Sequence, residues 1–229
     1  MMQKQRKSRM PQIGEATFCI AYLIFDLIAA IIFFVNTNGS QALYLFGVLT
    51  LVLGGGDAFH LVPRVIKAFR GNSPKVEWWS GLGLMISSIT MTVFYVLLFY
   101  AWKTVFPEVS CPSALPVLIW ASAVIRIVLC LFPQNNWFHP EGNLTWAIWR
   151  NLPFVITGLC LVLLFFMSGN TGGYGLWRMS IAIIISFSCY LPVVLLAKKK
   201  PMVGMLMIPK TAAYIWMISM GLGLIGKIF

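Results

Sequence analysis

One apolar run decides the fold of this chain: ALYLFGVLTLVLGGGDAFHLVPRVI, residues 42–66. A membrane-spanning α-helix needs about 20 predominantly apolar residues to cross roughly 30 Å of hydrocarbon, and this run has that length. The whole chain of 229 residues is 59% hydrophobic and only 10% charged, whereas soluble domains carry about 25% charged residues. The sequence therefore predicts an integral membrane protein built from α-helices.

Other runs of similar length and composition precede and follow this one, separated by segments rich in Gly, Pro, Asn and Ser that favour turns. We predict an all-α integral membrane fold: a basic N-terminal tail over 1–12, then a single domain over 13–229 that forms a bundle of seven transmembrane helices. The predicted spans are 13–36, 42–66, 79–102, 113–133, 144–168, 176–197 and 202–226.

The basic residues between the spans decide the predicted orientation. With the N-terminus in the cytoplasm, eleven Lys and Arg residues fall in cytoplasmic segments and three fall outside, as the positive-inside rule requires. We therefore predict a cytoplasmic N-terminus and an outside C-terminus. The eleven are Lys4, Arg6, Lys7, Arg9, Arg64, Lys67, Arg70, Lys75, Lys198, Lys199 and Lys200, and the three are Lys103, Arg178 and Lys227.

The net charge of +11 fits contact with the anionic headgroups of the lipid bilayer. We therefore expect a plasma-membrane protein with the bilayer as its partner and no nucleic-acid partner. Five cysteines without a CxxC pair and two histidines give no metal-ligand pattern. We predict no metal and no cofactor, and the oligomeric state stays open.

Charged side chains inside membrane spans are costly, and they usually face a cavity or pair with each other. The helical rise of about 1.5 Å per residue places a set of polar groups from several spans about 9–14 Å from the predicted cytoplasmic boundary. This common depth predicts a polar cavity in the cytoplasmic half of the membrane. The candidate substrate-binding residues are Asp57, His60, Arg126, Arg150, Asn151, Lys210 and Tyr214.

The second span carries the densest part of this pattern. Asp57, His60 and Arg64 are spaced i, i+3 and i+7, so they share one face of a helix. Three glycines just before Asp57 let a neighbouring helix or a ligand approach the backbone closely, and Pro63 is expected to bend the helix. We expect Lys210 or an arginine to be the counter-ion of Asp57. Arg64 and Glu15 are expected to extend to the membrane interface.

The two halves of the chain also show a faint internal similarity. HLVPRVIKAF and CYLPVVLLAK share a Pro-x-Val motif at Pro63 and Pro192. This similarity favours a 3+1+3 parallel repeat, in which spans one to three correspond to spans five to seven. Transporters with such repeats bind their substrate at the repeat interface.

The stretch LGGGDAFHLVPR followed by WWSGLGLMISSITMTVFYVLLFY resembles part of the lysoplasmalogenase-like YhhN family of membrane proteins, over about 45 of the 229 residues. The resemblance implies hydrolysis of the vinyl-ether bond of lysoplasmalogens, with Asp57 as the catalytic acid. The family has a second acid in its C-terminal half and usually eight spans, whereas spans five to seven here contain no acid. The residues that carry the resemblance are Gly56, Asp57, Leu61, Pro63, Arg64, Ser87 or Ser88, and Tyr95.

Three functions from different classes are therefore considered. The first is binding or transport of a small anionic or zwitterionic solute in the cavity. The second is a membrane-embedded lipid hydrolase of lysoplasmalogenase type, in which Asp57 and His60 form the catalytic acid and its partner. The third is a non-catalytic membrane subunit or sensor, in which the charges inside the spans serve assembly.

Overall fold

The computed structural model describes residues 2–139, 142–197 and 200–228, and it describes residues 2–12 and 201 by their backbone alone. Lys198 and Lys199, which belong to the predicted cytoplasmic segments, lie outside the described residues. Seven α-helices occupy most of these ranges: α1 (Met2–Val35), α2 (Gln41–Arg70), α3 (Pro74–Val105), α4 (Ala114–Leu131), α5 (Leu144–Ser168), α6 (Arg178–Leu196) and α7 (Met207–Leu222).

Within the described ranges, all seven helices are long and apolar enough to cross a membrane, with α7 taken together with the helical turns that precede it. The prediction of an all-helical, multi-pass membrane protein is confirmed to this extent. The orientation, the 3+1+3 repeat and the plasma-membrane location stay predictions. The backbone of α1 is helical from Met2 onward, through the segment that was predicted as a basic tail.

Local sequence explains where the helices begin. The hydroxyl groups of Ser40 and Ser73 accept hydrogen bonds from backbone N–H groups in the first turns of α2 and α3. The side chain of Asn143 does the same for α5. These caps satisfy N–H groups that have no partner within the helix. Pro63 lies inside α2, which continues through it to Arg70.

The connection between α6 and α7 is partly helical. A 3₁₀-helix at Pro201–Leu206 precedes α7, and Pro209 lies in the first turn of α7. Proline is tolerated in the first turn of a helix because the backbone N–H that it lacks would have no partner there. The predicted span 202–226 therefore divides into a tight turn and a regular helix.

Helices that follow each other in sequence pack side by side, and α7 also packs against α1 and α2. The contact between α2 and α3 is especially close. A Cβ atom added to Gly83 would lie 2.0 Å from the carbonyl oxygen of Phe59, and one added to Gly56 would lie 1.8 Å from the Thr90 hydroxyl. The glycines of α2 therefore serve helix packing: Gly56 faces α3 and Gly54 faces Asp26 of α1.

A buried tryptophan connects α3 to α5 near the C-terminal ends of both helices. The indole N–H of Trp102 donates hydrogen bonds to the carbonyl oxygen of Leu164, at 3.1 Å, and to the hydroxyl group of Ser168, at 2.6 Å. Trp102 is 1% exposed and belongs to the apolar core. Because a buried indole N–H without a partner is costly, this contact favours one register between the two helices.

Candidate functional site

A cavity of about 80 Å³ lies where α2, α3, α4, α5, α6 and α7 meet. Asp57, His60 and Arg64 reach it from α2, as their shared helical face requires. The other helices contribute hydroxyl groups, aromatic rings and two further cations to the lining. The charged, imidazole and phenol groups that line the cavity are Asp57, His60, Arg64, Arg126, Tyr190 and Lys210.

Asp57 is held by hydroxyl groups. Tyr22 of α1 donates a hydrogen bond to Oδ2 of Asp57 at 3.0 Å, and Ser87 of α3 donates one to Oδ1 at 2.8 Å. Each carboxylate oxygen therefore has a donor from a different helix. The expectation that Lys210 or an arginine pairs directly with Asp57 was wrong: in the described part of the chain, no such nitrogen lies within 4.0 Å of its carboxylate.

Arg126 is the most deeply buried cation of the site. It lies in α4 and is 1% exposed. Its guanidinium carbon lies 3.2 Å from the centroid of the Phe154 ring, a cation–π contact. Its Nε and Nη1 atoms are buried and have no hydrogen-bond acceptor among the described residues. The charge of Arg126 is thus stabilised by an aromatic face.

Lys210 supplies a second cation from α7. It is 8% exposed and lines the cavity. Its Nζ lies 4.8 Å from the ring centroid of Tyr214 and 5.4 Å from that of Tyr190. No carboxylate of the described ranges lies within 4.0 Å of this ammonium group. Tyr214, which was predicted to bind substrate, is buried and contacts Lys210 through its ring.

A larger cavity of about 360 Å³ adjoins the first one, and His60 and Arg64 line both. Arg64 forms an ion pair with Glu15 of α1 at this shared wall. The two residues are paired with each other, and their predicted extension to the membrane interface stays a prediction. The side chains remain partly exposed, so the pair contributes little to stability.

Arg150 and Asn151 do not line the cavity that contains Asp57. Arg150 lines a separate cavity of about 190 Å³ beneath the α4–α5 connection. Its Nη1 donates to Oδ1 of Asn135 at 2.8 Å, and its guanidinium lies over the ring of Trp137. Asn151 accepts a hydrogen bond from the hydroxyl group of Tyr190 at 2.9 Å. Asn151 therefore positions a ring that contacts Lys210, rather than reaching the cavity itself.

Tyr22 and Tyr190 were not among the site residues predicted from the sequence. Both are tyrosines inside a span, away from the interfacial positions where tyrosine is common in membrane proteins. That location is a signal that each hydroxyl group has a buried partner. Asp26, a further acidic residue of α1, lies one helical turn from Tyr22. Among the described residues, no group of three or more His, Cys, Asp and Glu side chains can hold a metal ion.

No protein-family model, curated protein or solved structure matches this chain. The function is therefore inferred from the residues that line the cavity. The cavity is large enough for a small polar group. It is lined by two cations, Arg126 and Lys210, that have no carboxylate partner among the described residues. It is also lined by one carboxylate, Asp57, that accepts hydrogen bonds from two hydroxyl groups. Such a site can bind an anion by charge and hydrogen bonds, and can offer Asp57 to a cationic group.

Proposed function

We propose that the protein binds a small anionic or zwitterionic solute in this cavity, as the binding step of its transport across the membrane. The observation that carries the proposal is Arg126, whose buried Nε and Nη1 have no acceptor among the described residues. A buried charge without a partner costs several kcal/mol or more. A bound anion supplies the missing acceptor, and Lys210 supplies a second positive charge on the same cavity.

The donor set favours a carboxylate, phosphate or sulfate group. A guanidinium group presents its N–H donors in a planar fork that matches the oxygens of such anions. The hydroxyl group of Thr211 lies on the same cavity wall as Lys210. The cavity volume of about 80 Å³ exceeds the roughly 10–15 Å³ that one water needs. It is far below the 300 Å³ or more that is typical of drug-sized ligands.

Calorimetric titration of the detergent-solubilised protein with sulfate, phosphate and acetate tests the proposal. Removing one charged hydrogen-bond donor costs about 1.5–3 kcal/mol, so Arg126→Met and Lys210→Met should each weaken binding about 10- to 150-fold. Lys103→Met is the matched control, because Lys103 is exposed at the end of α3. Uptake of the bound anion into liposomes then separates transport from binding alone.

Binding that is equally strong in wild type and both cavity variants would contradict the proposal, and so would the absence of binding to wild type. Binding without uptake would leave a solute-binding protein and would reject transport. Arg178→Met offers a second control for the arginine variant, since Arg178 is exposed at the start of α6.

A second candidate is a lysoplasmalogenase-type hydrolase, and one contact favours it. The hydrogen bond from Ser87 to Asp57 joins two of the residues that carry the resemblance to that family. Asp57 would then act as the general acid at the vinyl-ether bond, with His60 on the same cavity wall. Incubation with a lysoplasmalogen should release a fatty aldehyde that mass spectrometry detects, and Asp57→Asn should abolish it. Wild type that releases no aldehyde would reject this candidate.

A further inference from the structure

A second buried carboxyl group lies close to the site, at Asp26 of α1. Asp26 is 2% exposed, and neither of its carboxyl oxygens has a hydrogen-bond partner among the described residues. The backbone of Gly54 faces it from α2. An ionised carboxylate without a hydrogen bond or a cation is far more costly in such surroundings than the neutral acid. Asp26 is therefore suited to hold a proton.

Tyr22 connects Asp26 with the cavity. The two residues are spaced i and i+4 on α1, so their side chains share one face, about 6 Å apart along the axis. The Tyr22 hydroxyl group is fully buried and donates to Oδ2 of Asp57 at 3.0 Å. A hydroxyl oxygen also has lone pairs with which to accept a hydrogen bond. Neither Asp26 oxygen makes a hydrogen bond to Tyr22 in this structure, so a rotation of the Asp26 side chain is needed for Tyr22 to accept from a protonated Asp26 while it donates to Asp57.

We infer that Tyr22 relays a proton from Asp26 to Asp57 when an anion binds in the cavity. In this step the Asp26 O–H proton moves to the Tyr22 oxygen as the Tyr22 proton moves to Oδ2 of Asp57. Tyr22 is unchanged, Asp57 becomes neutral and Asp26 becomes a carboxylate, which regains its proton from water. The sum is one proton taken up for each anion bound. This inference rests on the proposed function, since the anion provides the reason for the shift.

The charges around Asp57 explain why the proton moves toward Asp57 when an anion binds. An anion beside an ionised Asp57 is repelled by it, and a proton transferred to Asp57 removes this repulsion once the cavity is filled. The shift moves the negative charge from α2 to Asp26, one helical turn farther along α1. The titratable and charged groups that surround the relay are Glu15 on α1, His60 and Arg64 on α2, Arg126 on α4, Tyr190 on α6, and Lys210 and Tyr214 on α7.

The test is a proton count during the binding of sulfate, whose own charge does not change near neutral pH. Calorimetric titration is repeated in buffers that differ in ionisation enthalpy, and wild type should take up about one proton per sulfate. Tyr22→Phe and Asp26→Asn should slow this uptake, followed with a pH-indicator dye after rapid mixing with sulfate, because the equilibrium count does not depend on the route of the proton.

Each outcome has one meaning. Wild type that does not bind sulfate contradicts the proposed function. Sulfate binding without proton uptake overturns the relay alone. Uptake that is as fast in Asp26→Asn and Tyr22→Phe as in wild type also overturns it, because Asp57 then takes its proton directly from the cavity. Infrared difference spectra add a second measurement: the band of a protonated carboxyl group should be present in wild type before sulfate is added and absent from Asp26→Asn.

Discussion

The contact between α2 and α3 at Gly83 leaves no room for a methyl group. A Cβ atom at this position would lie 2.0 Å from the Phe59 carbonyl oxygen and 2.8 Å from the Cα of His60. Both are backbone atoms, so no change of side-chain rotamer relieves the overlap. Gly83→Ala must therefore move the two helices apart, and it must displace His60, which lines the cavity.

The cost of this displacement can be bounded. Extra volume in a well-packed core costs about 1–3 kcal/mol. For a chain of this length, each kcal/mol lowers Tm by about 2–4 °C, so Gly83→Ala should lower it by about 2–12 °C. Helix propensity alone predicts the opposite sign, because alanine is favoured over glycine in a helix interior by about 1 kcal/mol.

Gly55→Ala is the matched control, since a Cβ atom there meets nothing within 4 Å. Both variants are heated in detergent, and the fraction that remains monodisperse is measured by size-exclusion chromatography. Gly83→Ala should be less stable than wild type, and Gly55→Ala should be equally stable or slightly more so. A Gly83→Ala variant with the Tm of wild type would refute the close approach of these backbones.

Two further predictions concern the opposite half of the bundle and the predicted outside surface. Trp102→Phe removes the indole N–H that donates to Leu164 and Ser168, so it should destabilise the protein by about 1–3 kcal/mol. An unchanged Tm in the same heating assay would show that these hydrogen bonds contribute nothing to stability. Cys111 lies in the α3–α4 loop, predicted to be outside, and a membrane-impermeant maleimide should label it in intact cells. Labelling only after permeabilisation would contradict the predicted orientation and place this loop in the cytoplasm. Burial raises the pKa of the Cys111 thiol, so less thiolate is present at neutral pH and the labelling rate should keep increasing with pH beyond the range of an ordinary cysteine.

The sequence predicts the number and approximate position of the spans because the length of an apolar run is set by the thickness of the bilayer. The ends are less certain: the predicted span 79–102 lies within α3, which covers Pro74–Val105. The extra turns carry charged residues such as Lys75 and Lys103, which hydropathy excludes from a span. Long basic side chains of this kind can reach the headgroup region from a helix end.

Depth along a helix is readable from sequence, but rotation about its axis is read less reliably. Asp57, His60, Arg126 and Lys210 share a depth and line one cavity. Arg150 has a similar predicted depth, yet it lines a different cavity because its side chain is directed toward Asn135 and the α4–α5 connection. The partners of Asp57 were missed for a related reason: hydroxyl groups from two other helices reach it, and hydropathy gives their positions no special weight.

The glycine contact between α2 and α3 has a consequence for how the cavity opens. The Phe59 carbonyl fits against Gly83 because that residue has no Cβ atom, and this close packing favours movement of the two helices as one rigid body. Asp57 and Ser87 belong to that body and stay hydrogen-bonded to each other while it moves. Arg126 and Lys210 lie on helices outside it. Any motion of this body relative to α4 and α7 therefore changes the distance from Asp57 to both cations.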